Sequence, residues 1–149
     1  RIDKIKIAGI EGAEAFAPQS VTILLTDDID ISRGDAMVKS TENITAANEA
    51  DVLFCWLDDK PLQNGNKYLL QHNNRSVRTV IKNLAYKIDV NSLQHIEDVQ
   101  QAKLNEIVRA SIKTAAPIVF DSYKNNRSNG AAILIDETSN ATVAAVLFQ

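Results

Sequence analysis

The chain has 149 residues, a formal net charge of −3, 45% hydrophobic residues, five glycines and three prolines. That composition supports a packed core and excludes disordered and low-complexity classes. The charge is flat along the chain, so no basic footprint for nucleic acid is present, no apolar run reaches the roughly 18 residues of a membrane span, and the single cysteine, Cys55, excludes an internal disulfide or a cysteine-built zinc site.

Residues 2–7 form a short strand-like segment, and Gly9 and Gly12 punctuate its exit. Ser20 to Thr26 is the first clear strand, and Asp27-Asp28 opens a turn after it. Ile29 and Ile31 bracket Asp30, and Ser32-Arg33-Gly34-Asp35 makes a second turn before Ala36-Met37-Val38. The tripeptide Arg33-Gly34-Asp35 spells an integrin motif, but a tight turn accounts for it. Residues 41–49 are polar and aperiodic, which makes them a linker between a first unit, 1–40, and a second, 50–149. The chain opens at Arg1 directly in a strand, and we expect it to be a piece of a longer protein.

The second unit begins with an apolar strand, Ala50 to Leu57. Residues 58–66 turn the chain, Lys67 to His72 is the next strand, and Asn73-Asn74-Arg75 reads as a hairpin turn. Residues 76–90 fit two periods. Val77, Val80, Ile81, Leu84 and Ile88 make a helical stripe, while Val80, Leu84, Tyr86, Ile88 and Val90 alternate with Asn83, Ala85, Lys87 and Asp89. The β-branched and aromatic content favours strand, with a break or bulge near Lys82-Asn83. Residues 91–105 read as a long connection with one helical turn capped by Ser92. A strand from Ile107 to Lys113 should end near Ala116-Pro117, because proline cannot donate to a ladder.

The chain closes on two apolar runs, Ile133-Leu134-Ile135 and Thr142 to Leu147, joined by a polar turn: a β-hairpin, with Asn129-Gly130 supplying positive-φ tolerance at its entry. About nine to eleven short strands with almost no helix indicate an all-β protein of two small units, one of them incomplete.

Chemistry is sparse. Cys55, between Phe54 and Trp56, reads as a buried, inert thiol. His72 reads as a hydrogen-bonded residue at a strand end. His95 with Glu97 and Asp98 offers one imidazole, too few for a convincing metal set. Asp27, Asp28 and Asp30 lack the glycine and distal glutamate of a calcium loop and read as a solvated turn. Arg75, Arg78 and Arg127 lie near turns, where arginine can pair bidentately with a carboxylate of a partner domain or stay solvated. No phosphate loop is present. No catalytic, cofactor-binding or metal residue is assigned.

Two stretches resemble translation-factor GTPases: Ile29 to Asp35 is similar to the close of their second domain, and Arg127 to Gly130 with Ile133 to Asp136 and Thr142 to Ala145 to the last hairpin of their third. Within that superfamily, Glu14 to Ala17, Asp28 to Asp35, Trp56, Pro61-Leu62, Tyr68 to His72, Asp89 to Asn91, Leu104-Asn105, Phe120 to Tyr123 and Asn126-Arg127 resemble, in order and spacing, the large subunit of sulfate adenylyltransferases. Ala131-Ala132 and Ala144-Ala145 depart from that pattern at packing positions.

The resemblance implies translation-factor-type β-barrels: the end of a second-domain barrel in 1–40, a linker in 41–49 and a complete third-domain barrel in 50–149. It implies a cytoplasmic parent that binds GTP and magnesium in an N-terminal GTPase domain outside this chain. The parent would pair with a small catalytic subunit to make adenosine 5′-phosphosulfate from ATP and sulfate in sulfate assimilation. The chain itself would be a non-catalytic scaffold, with no cofactor of its own and no nucleic-acid or membrane partner. Its incomplete barrel would expose strand edges that a second copy can pair with. Two rivals remain: the barrels of an elongation factor that binds aminoacyl-tRNA, and an unrelated β-barrel ligand-binding module.

Overall fold

The structure is a computed structural model, and it describes residues 1–41 and 46–149. Among the described residues it is all-β, with twelve strands. The chain divides into two units, Arg1–Asp35 and Ala36–Gln149. Of the expected linker, 42–45 lie outside the described residues, while Ala47 to Glu49 already belong to a strand.

The first unit is a three-stranded antiparallel sheet in the order β2-β1-β3, with β1 at Ile2–Ile7, β2 at Ile10–Gly12 and β3 at Val21–Leu25. Ala8 and Gly9, at φ 48° and 85°, form the two-residue turn between β1 and β2; positive φ at both central positions matches the twist of the flanking strands. The sheet is open, and among the described residues before Ala50 no apolar side chain is fully buried. At Arg33-Gly34-Asp35 the expected tight turn is present. Ser32 N–H donates to the Asp35 carboxylate at 2.8 Å, Asp35 N–H returns to Ser32 O at 3.1 Å, and Gly34 sits at φ 99°.

The second unit is a closed barrel of six antiparallel strands. They are β4 (Ala47–Trp56), β6 (Lys67–His72), β7 (Arg75–Ile88), β10 (Ile107–Ile118), β11 (Ala131–Ile135) and β12 (Thr142–Phe148). They run β10-β4-β12-β11-β6-β7 around the wall, and β7 pairs back to β10. Short strands supplement the wall: β8 (His95–Ile96) on β7, and a clip of β5 (Leu62–Gln63) with β9 (Gln101–Ala102). Alternation along the strands fills the interior. Val52, Phe54 and Trp56 of β4 meet Leu70, Ile81, Val108, Ile112, Leu134, Val146 and Phe148, all fully buried. Each such side chain adds roughly 1.5–3 kcal/mol on burial. The indole N–H of Trp56 donates to Lys60 O at 2.8 Å, so the largest core residue leaves no orphan donor.

The ambiguity of residues 76–90 resolves as one long strand with two bulges. Against β10, pairing passes from Ile81 to Asn83 and from Leu84 to Tyr86, so Lys82 and Ala85 are each extra. Val77, Thr79 and Ile81 point inward at period two, and the bulge at Lys82 delays the next inward residue to Leu84. The apparent helical stripe is this delay, and Val80, expected inward, faces out. Bulges also let one strand serve two neighbours: Arg75 to Val80 pair with β6 and Thr79 to Ile88 with β10.

Four expectations are corrected. Residues 91–105 hold no helical turn; the Asp89 carboxylate accepts N–H groups of Asn91 and Ser92 at 2.8 and 2.9 Å, turning the chain into β8. Strand β10 continues through Pro117, which the register shift between Lys113 and Ile118 accommodates. Cys55 is half-buried on the outer wall, because alternation sends Phe54 and Trp56 inward. Neither Asn129 nor Gly130 has positive φ; in the closing hairpin that role falls to Asn140, at 58°. Gly130 is needed for space: a Cβ there would lie against Tyr123 Cα, 2.6 Å from Tyr123 N and 2.7 Å from Asn126 O.

Candidate functional site

Two surface regions of the barrel gather polar side chains. The larger is an open groove of about 570 Å³, lined by Lys67 of β6, Arg78 to Val80 of β7, Lys113 to Ala115 of β10 and the hairpin turn Asp136 to Thr138. Three of its charged groups, Arg78, Glu137 and Lys113, are paired within the barrel. Arg78 Nε and Nη2 lie 3.2 and 3.4 Å from the two carboxylate oxygens of Glu137. The bidentate arginine expected to reach a partner domain is therefore engaged at home. Lys113 lies 3.7 Å from Glu49, which also holds Lys82 at 3.1 Å.

Two hydroxyls of the groove are also committed. Thr114 Oγ1 donates to Asn48 O at 3.1 Å and Thr79 Oγ1 to Val77 O at 3.4 Å. Asp136 accepts the Ser139 N–H at 2.8 Å and its hydroxyl at 3.0 Å, and these bonds hold its carboxyl below the usual carboxylate range. Tyr68 packs edge-on to Trp56, and burial, with Asp58 and Asp136 nearby, pushes its phenol up to about 12. A phenol so placed stays protonated at neutral pH and offers no base.

The second region is the loop 121–130 beside the closing hairpin. The Asp121 carboxylate accepts the side-chain amides of Asn126 and Asn129, each at 3.0 Å. Asn129 Oδ1 accepts the Asn73 amide at 2.8 Å, and Asn129 O lies 3.0 Å from His72 Nε2. His72 is buried and edge-on to Phe148, which also stacks on Phe120. The expected hydrogen-bonded histidine is thus a strut between two loops. Arg127 places its guanidinium 6.0 Å from the Tyr123 ring centroid. Nearby Ser122, Lys124, Leu147 and Gln149 help line a hollow of about 380 Å³.

The remaining candidates stay apart. Arg75 donates to Pro117 O at 3.2 Å. His95 stacks on Tyr86 at 3.9 Å between centroids. Among the described residues no three of His, Cys, Asp and Glu gather as a metal set, and every buried side-chain nitrogen or oxygen has a hydrogen-bond partner. Asp27, Asp28 and Asp30 are exposed. Sequence reasoning missed the half-buried pair of Lys87 Nζ on β7 and Glu106 Oε1 just before β10, 2.8 Å apart, and the Asn64 side chain that accepts Leu84 N–H at 2.8 Å beside the bulge. Both are contacts between residues about twenty positions apart, which no local pattern announces.

Comparison with known proteins fits this frame. Residues 49–148 match the family model "GTP-eEF1A C-terminal domain-like". The chain is 41% identical over 146 residues to the bifunctional enzyme CysN/CysC of Mycobacterium tuberculosis, covering 94% of this chain and 24% of that protein. It is 40% identical over 131 residues to sulfate adenylyltransferase subunit 1 of Aliarcobacter butzleri, covering 88% and 28%, and 36% identical over 132 residues to that of Cellvibrio japonicus, covering 89% and 28%. The chain therefore spans about a quarter of the length of these curated relatives. Among solved structures, that of Sup35 complexed with GDP superposes with a TM-score of 0.83 at 16% identity, covering 99% of this chain and 36% of that one, a likeness of fold alone. The resemblance to sulfate adenylyltransferase large subunits and to translation-factor barrels is thus present along most of the sequence. The chain belongs to the GTP-eEF1A C-terminal domain-like family.

Proposed function

We propose that the chain is the C-terminal barrel region of the GTP-binding subunit of a sulfate adenylyltransferase. The 36–41% identity to the M. tuberculosis, A. butzleri and C. japonicus relatives supports that reading. In it, GTP and magnesium are held by a GTPase domain elsewhere in the longer protein. GTP hydrolysis there drives the uphill formation of adenosine 5′-phosphosulfate and pyrophosphate from ATP and sulfate on a small catalytic subunit, in the cytoplasm. The barrel contributes no reacting group; it holds the GTPase domain and the catalytic subunit in register. The observation that carries the scaffold role is the side-chain-filled interior, with the pairs Arg78–Glu137, Lys82–Glu49 and Lys87–Glu106 closed within the barrel.

The test uses the full-length protein with the second subunit encoded beside it. GTP-dependent pyrophosphate release from ATP and sulfate is the expected result, and it should be lost when the barrel is deleted. Absence of sulfate-dependent pyrophosphate release from the intact pair would overturn the proposal. The flat charge opposes the aminoacyl-tRNA reading, in which binding would fall steeply with salt. The side-chain-filled lumen opposes a ligand-binding barrel.

A further inference from the structure

The groove on the outer wall carries positive charge that the barrel does not neutralise. Lys67 of β6, Val80 of β7 and Lys113 of β10 all line it, and the strand register sets them in one row: Lys67 pairs with Val80, and Val80 with Lys113. Neighbouring strands lie about 4.8 Å apart, so the two lysines straddle Val80 with their Cα atoms about 10 Å from each other. Flexible four-carbon stems let both ammonium groups converge over Val80. Ala115, exposed on β10, extends the apolar floor, and the turn Asp136 to Thr138 forms one bank.

The acids of the groove are already engaged. Arg78 holds both oxygens of Glu137, at 3.2 and 3.4 Å. Asp136 accepts the N–H groups of Thr138 and Ser139 at 3.0 and 2.8 Å. Beside β10 a single carboxylate, Glu49, serves two ammonium groups, Lys82 at 3.1 Å and Lys113 at the looser 3.7 Å. Lys67 enters no ion pair among the described residues. Two lysines across one apolar side chain, the first unpaired and the second sharing its partner, gain from an anion set between them.

Size and charge define that anion. The groove holds about 570 Å³, in the range of sites for small organic ligands and far more than a bare oxyanion fills. A phosphate monoester brings about two negative charges near neutral pH, one for each lysine, and three acceptor oxygens. A carboxylate brings one charge. Val80 and Ala115 offer an apolar rest for the esterified body. The groove lies outside the wall, so the filled lumen does not oppose a ligand there.

We infer that this outer groove binds a small phosphate monoester, its phosphate between Lys67 and Lys113 and its apolar body on Val80 and Ala115. The test is a titration of the intact chain followed by amide NMR, with phenyl phosphate as probe and inorganic phosphate, benzoate and benzyl alcohol as comparisons. Phenyl phosphate should give saturable shifts confined to the amides of Lys67, Arg78 to Val80, Lys113 to Ala115 and Asp136 to Thr138, and its affinity should fall as salt is added. Inorganic phosphate and benzoate should each bind several-fold more weakly, and benzyl alcohol should not saturate.

The double variant Lys67→Ala/Lys113→Ala should weaken phenyl phosphate at least tenfold with an unchanged melting temperature, since both side chains are exposed. Val80→Glu, which sets a carboxylate between the two ammonium groups, should abolish the groove shifts. Lys124→Ala, on the loop 121–130, should bind normally. Absence of saturable shifts in the groove, or unaltered affinity in the double variant, would overturn the site. Benzoate or inorganic phosphate binding as tightly as phenyl phosphate would overturn its assignment to a phosphate monoester.

Discussion

Residues 1–35 and residues 36–149 draw on the same β-forming side chains, yet only the second stretch has an interior. In the barrel, every second residue of β4 from Ala50 to Trp56 is buried, because β10 and β12 flank it and the opposite wall faces it. In the open sheet, Ile2, Ile10, Val21 and Leu24 remain exposed although their strands are properly paired. Ladder hydrogen bonds alone do not bury apolar area. Closure does, and it also removes the edges that β2 and β3 keep. The difference teaches that the barrel can carry its own stability, while the sheet depends on something added to it.

Substitutions should separate the two stretches. Trp56→Ala should cost the barrel about 3–5 kcal/mol, since a fully buried indole leaves a cavity. Phe16→Ala in the first unit, where the ring is exposed, should change stability by less than about 0.5 kcal/mol. Paired thermal melts check both, and equal losses would break the comparison.

Glycine gives a second pair. Gly130→Ala should destabilise by about 1–3 kcal/mol through overpacking against backbone that cannot yield. Gly12→Ala should be nearly silent, since the tightest contact of its Cβ would be the flexible tip of the Ile7 side chain at 3.3 Å, with Glu14 O at an ordinary 3.6 Å. Denaturant midpoints decide this.

The third test uses pH. Burial acts to raise the Glu106 carboxyl, but the Lys103 N–H and Lys87 outweigh it, so the net shift is downward from 4.5. A lowered folded value means stability present above the unfolded value and lost as pH falls through the folded one. Barrel stability should therefore decline in acid below about pH 4.5, and Glu106→Gln should remove part of that slope at a cost of roughly 0.5–1 kcal/mol near neutrality. Lys4→Ala, breaking the exposed Lys4–Glu11 pair of the open sheet, should show no such effect. The smallest effect concerns the edges. This 149-residue chain should self-associate weakly at high concentration, and Ile23→Lys on the edge strand β3 should reduce that association several-fold in sedimentation.

The strand at Phe54 and Trp56, the closing hairpin and the all-β class were legible because each is a short apolar run bounded by turn residues, but such a run does not say which face is inward, so Cys55 was misplaced. Residues 76–90 were half-legible. Bulges at Lys82 and Ala85 turn that period into spacings that imitate a helix, and only pairing with β10 reveals them. The loop 91–105 misled because Asp89, not Ser92, organises it, and because a leucine takes the left-handed turn. Gly130 was noticed for the wrong reason. Its constraint comes from Tyr123, seven positions away, brought against it only by the fold. The site candidates fared alike: a histidine strut is readable as a satisfied residue, whereas the pairing of Arg78 with Glu137 needs the barrel closed.

Amide hydrogen exchange on the intact chain tests the central contrast most directly. Amides of β4, β10 and β12 should exchange only on global unfolding, while those of β1 to β3 should exchange orders of magnitude faster through local opening. Equal protection of the two stretches would contradict the account.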